Sequence, residues 1–104
     1  MRHFPESDWK KFKSLREKAL QRFCERAIND LAAIAADESL SYHQRYLKIF
    51  GLLEERDEQM AAAFNELSRS RAMSQLRLIN SYWLLEPGEL DALSSETRDS
   101  IELL

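Results

Sequence analysis

Apolar residues recur in steps of three and four through most of this 104-residue chain, and that rhythm breaks clearly once, between Ala36 and Ser41. Before the break the stripe runs Trp9, Phe12, Leu15, Ala19, Leu20, Phe23, Ala27, Leu31, Ile34. After it come Tyr46, Ile49, Leu53, Met60, Phe64 and Leu67. A 3.6-residue period puts these side chains on one face of a helix, and a helix with one apolar face must bury it. The spacing therefore specifies two long amphipathic helices and an all-α fold.

Composition narrows the reading further. Only two glycines and two prolines occur, too little turn chemistry for a sheet of hairpins, while 44% hydrophobic residues can supply the core of one domain. No run of 18 apolar residues is present, so the chain is not expected to span a membrane. The charged N-terminal segment Met1–Ser7 does not read as a secretory signal, and the lone Cys24 cannot close an internal disulfide. The expected compartment is the cytoplasm.

Boundaries follow from capping chemistry. Pro5, Glu6 and Asp8 suit a helix start, so helix one is placed at 5–36. Ser41 with Gln44 three residues on forms a capping box, and helix two is placed at 42–69. The short connection predicts an antiparallel helical hairpin with coiled-coil-like packing. Folding the chain about residue 39 sets Ala27 near Gly51 and places Lys18, Arg22 and Arg26 opposite Glu54, Glu55, Asp57 and Glu58. Tyr42, Tyr46 and Phe50, at steps of four, read as core at the turn end rather than as a ligand-stacking cluster.

Helix one ends before it can cover residues 71–85. That segment either folds back as a third helix or stays extended and is covered by a second copy in a dimeric bundle, and both arrangements predict a buried Trp83. Residues 87–104 read as short helices, with Leu90, Leu93, Ile101 and Leu104 facing the bundle. Leu76, Ile79, Tyr82, Trp83 and Leu85 are the expected self-association residues.

Chemistry is sparse. His3 and His43 have no acid or thiol at ligand spacing, and residue 40, three before His43, is leucine where a di-iron helix would carry glutamate, so no metal or other cofactor is expected. Arg16, Arg56 and Arg71 interrupt the stripe. Their simplest role is to lay methylenes along the seam, and their alternative role is an anion site for a small helical enzyme acting on a carboxylated metabolite. No nucleophile, general base or phosphate loop accompanies them. The basic run Lys10 to Arg26 raises a nucleic-acid reading, which the net charge of −3 and the facing acids oppose. The expected function is a non-catalytic protein-interaction or regulatory module that self-associates through apolar helix faces.

Overall fold

The computed structural model describes residues 4–102, of which Glu102 is described by its backbone only, and every regular element among them is helical. His3 and Leu104 lie outside the described residues. Helix α1 covers Glu6–Ala35, with Pro5 in the N-cap position and Glu6 and Asp8 at the positive end of the dipole. It would be about 45 Å long. The turn is built by side chains. Ser39 donates from its N–H and Oγ to the Asp37 carboxylate (3.0 and 2.6 Å), which holds the Asp37 carboxyl below its ordinary pKa. The predicted capping box is present: Gln44 N–H donates to Ser41 Oγ at 3.1 Å, and Ser41 N–H to Gln44 Oε1 at 2.8 Å. Arg45 ties the turn to both helices by donating to the carbonyls of Leu40 (3.1 Å) and Ala35 (3.3 Å).

Helix α2 spans Tyr42–Phe64, five residues shorter than the periodicity predicts. Asn65 leaves the helix in an extended conformation and Glu66 adopts φ 52°, so the chain reverses without glycine or proline. The buried Gln75 donates its amide to the Asn65 carbonyl and holds that reversal in place. Helix α3, Arg69–Ser81, then folds back over α1 and α2, which decides between the two arrangements open to this segment. A single 3₁₀ turn, Glu89–Ala92, follows Gly88 at φ 89°, and α4 covers Ser95–Glu102.

A buried carboxylate docks the tail. Asp8 on α1 accepts from Ser94 N–H (2.9 Å), Ser94 Oγ (2.6 Å) and Thr97 Oγ1 (2.5 Å) at the start of α4. Burial alone would raise the Asp8 pKa, but these hydrogen bonds outweigh it and hold the group below its ordinary value.

The core sits at one end of the molecule. On α1 the buried apolar residues run from Phe12 through Leu15 and Ala19 to Phe23 and stop there; on α2 they are Ala63 and Phe64 alone. Ala72, Leu76 and Ile79 of α3, with Leu84, Leu93 and Ile101 beyond it and Phe4 ahead of α1, complete the cluster. Phe23 packs edge-on against Phe64 with centroids 5.9 Å apart. A 13-residue helix reaches only about 20 Å, under half the length of the hairpin it lies against. The distal half of the hairpin therefore extends past the core as a two-helix arm in a body 51 Å long and 25 × 22 Å across.

Candidate interaction surface

Within the arm the two helices cover each other along a seam of half-buried residues, Ala27, Leu31 and Ile34 against Ile49 and Leu52. Arg56 crosses to Asp30 at 3.4 Å. The sequence loads more apolar surface than this seam can hide. Tyr42, Tyr46, Phe50 and Leu53 are 86, 67, 55 and 48% exposed, and Ile28 on α1 is 64% exposed. At about 100° per residue the four α2 side chains fall within an arc of roughly 80°, a continuous stripe on one side of the helix. This corrects the expectation that Tyr42, Tyr46 and Phe50 are core: α3 is too short to reach them. Gly51 also departs from its expected role at a close helix crossing, because a Cβ there would meet open space.

A further exposed aromatic, apart from the stripe, stands where the arm leaves the body. Trp83 N–H donates to the Asn80 carbonyl (3.0 Å) and Leu84 N–H to the Ile79 carbonyl (3.3 Å), which is the Schellman pattern that ends a helix. The left-handed residue of that motif is ordinarily glycine. Here it is Trp83, at φ 58° and 82% exposed, while the flanking Leu84 folds into the core. The predicted burial of Trp83 fails for this reason: the motif turns residue 84 inward and residue 83 outward.

Two arginines of α1 fix this turn. Arg26 donates to the carbonyls of Tyr82 (2.9 Å) and Trp83, and Arg22 donates to the Leu84 carbonyl (2.9 Å) and to Glu89 (2.6 and 3.0 Å). The hydrogen bond from Arg22 draws the Glu89 carboxyl below its ordinary pKa and is matched by an upward shift at Arg22. Arg22 and Arg26 are thus committed to the turn and do not pair with the acids at 54–58 as the hairpin register suggested.

The remaining site expectations separate in space. Leu76 and Ile79 are fully buried within one copy, and Tyr82 and Leu85 are half-buried against the core, so of the five proposed self-association residues only Trp83 presents its side chain widely to solvent. The three stripe arginines do not converge. Arg16 donates to the Phe64 carbonyl with its guanidinium 5.8 Å from that ring, Arg56 engages Asp30, Glu55 and Gln59, and Arg71 pairs with Glu66 at 3.1 Å. An open cleft of about 260 Å³ between arm and body is lined by Phe23, Arg26, Asp30, Arg56, Gln59, Tyr82 and Leu84, with its two arginines already partnered. Cys24 is half-buried on α1, and among the described residues no three His, Cys, Asp or Glu side chains gather as a metal site would require. No helix among the described residues is long and apolar enough to cross a membrane.

No family model, curated protein or solved structure matches the chain.

Proposed function

We propose that this chain is a non-catalytic helical interaction module that self-associates through the apolar side of its arm. The observation that carries the reading is the stripe Tyr42, Tyr46, Phe50 and Leu53, left exposed on a two-helix arm outside the core. Its size suits a protein partner. At about 200 Å² per aromatic side chain, the exposed parts of Tyr42, Tyr46 and Phe50 present roughly 400 Å², about half of what one partner contributes to a standard interface. Leu53, Leu47, Ile28 and the polar rim can supply the remainder. A patch of about 400 Å² matches the largest apolar patch of an ordinary monomer, which is often a functional surface, and rigid aromatic anchors are the side chains that dominate binding energy.

A second copy is the occupant the reading favours, because a stripe of one composition on a helix can pair with itself about a two-fold axis, as isologous interfaces do. The test is a Tyr46→Glu, Phe50→Glu double variant. It should retain its helical circular-dichroism signal and cooperative melt, since neither side chain belongs to the core, while losing concentration-dependent association. Association unchanged in that variant refutes the arm as the working surface.

A further inference from the structure

Arg26 carries a charge that its partners do not neutralise. It uses two of its five N–H donors on the carbonyls of Tyr82 (2.9 Å) and Trp83, which fix the guanidinium without offsetting its charge. Arg56 lines the same cleft between arm and body from α2. Three of its five donors are engaged, by Glu55 (3.2 Å), Gln59 (3.3 Å) and Asp30 (3.4 Å), and all three contacts are longer than the roughly 2.7–2.9 Å of a charge-assisted bond. The side chains of both acids are more than half exposed, so water competes for them. Within the lining, two guanidiniums against the one carboxylate of Asp30 leave a charge of +1. Gln59 accepts from Arg56 through its carbonyl oxygen, which leaves its NH₂ as a further donor.

The floor of the cleft is apolar. Phe23 and Leu84 are buried, and the half-buried Tyr82 ring lies 6.3 Å from Phe23. Donors above an apolar floor are the make-up of a small-molecule site, in which a few polar groups fix the orientation of a ligand held largely by apolar contact. Arginine selects the polar group of that ligand, because its planar fork matches a carboxylate bidentately. Volume sets the size. At about 260 Å³ the cleft lies just under the roughly 300 Å³ at which pockets for drug-sized ligands begin, so it suits a one-ring molecule rather than a large cofactor.

We infer that this cleft binds a small carboxylate with an apolar body, the carboxylate on Arg56 within the field of Arg26 and the body against Phe23, Tyr82 and Leu84. Asp30 is then the ligand's competitor for Arg56. Because α1, α2 and the turn after α3 all contribute, a bound ligand ties the arm to the body, and the site does not depend on self-association. Sodium phenylacetate titrated into the nitrogen-15-labelled native chain tests this, followed by backbone amide shifts and by the Arg56 Nε–H signal. Saturable shifts at residues 23–30, 56–59 and 82–84, with a Kd of about 5 mM or tighter, support the site. Phenylacetamide, which lacks the charge, and acetate, which lacks the ring, should each bind about tenfold more weakly or worse. Arg56→Met should weaken phenylacetate binding about tenfold or more, as loss of a charged partner does. Asp30→Asn should strengthen it severalfold by releasing Arg56. Neither side chain belongs to the core, so both variants should keep the helical signal of the native chain. Shifts absent up to about 50 mM phenylacetate, or confined to other segments, overturn the inference. So does phenylacetamide or acetate bound as tightly as phenylacetate, an Arg56→Met chain that binds unchanged, or an Asp30→Asn chain that binds more weakly.

Discussion

Trp83 offers a measurement in which two substitutions at one site differ by a single physical cause. A side chain in the left-handed region crowds its Cβ against the following carbonyl, at a cost of about 1–2 kcal/mol. Trp83→Ala removes the indole and keeps the Cβ at φ 58°, whereas Trp83→Gly removes both. The ring is 82% exposed, so the small burial lost is the same in the two variants and cancels between them. Glycine carries an opposing penalty of about 0.4–1 kcal/mol through the greater freedom of the unfolded chain. The balance leaves Trp83→Gly more stable than Trp83→Ala by about 0.5–1 kcal/mol, a difference of roughly 2–8 °C in Tm for a domain of this size. Thermal and urea unfolding by circular dichroism, in the Tyr46→Glu, Phe50→Glu background so that association does not contribute, gives the comparison. An alanine variant equal to or more stable than the glycine variant would refute the left-handed Schellman position at residue 83.

Two further outcomes follow from single positions. Gly51→Ala should stabilise the isolated chain by up to about 1 kcal/mol, because the new Cβ meets open space and alanine is the better helix former; urea unfolding that shows destabilisation would mean that the backbone at residue 51 is approached closely by another group. Asp8→Ala should cost about 2–3 kcal/mol by abolishing the charged acceptor of Ser94 and Thr97. Because the folded-state pKa of Asp8 lies below its unfolded value, its contribution is complete above the unfolded pKa of about 3.9 and is lost as pH falls through the lower folded value. Amide exchange at residues 94–101 should therefore accelerate below about pH 4 in the native chain, and an acid response unchanged in Asp8→Ala would assign it to another group.

The hairpin, its turn and its capping box are legible in the sequence because each is set by residues close together in the chain. The 3.6-residue period fixes the helices, and Ser41 with Gln44 fixes where the second begins. What covers a stripe is a different matter, since periodicity states that Tyr42, Tyr46 and Phe50 share a face and says nothing of a neighbour. Length supplied the missing signal: a segment of about fifteen residues after Arg69 cannot cover a hairpin twice as long. The break at Asn65 escaped because the reversal uses Glu66 at positive φ in place of glycine, and Trp83 escaped because tryptophan occupies a helix-ending position that composition rules assign to glycine. The Asp8 site joins residues 86 and 89 positions apart, and no local pattern could pair them. The basic residues of α1 were visible, but Arg26 turns to the backbone carbonyls of Tyr82 and Trp83, and Arg22 to the Leu84 carbonyl and to Glu89, 67 positions along the chain, which no local charge pattern discloses.

The central claim is that the arm brings two copies together, and sedimentation equilibrium of the native chain tests it most directly. Over a concentration series from about 1 to 100 µM, the range of moderate protein affinities, the apparent mass should rise from 12.2 kDa toward twice that value and fit a monomer–dimer equilibrium. A mass that stays at 12.2 kDa across the whole series, with the chain folded, would contradict the account.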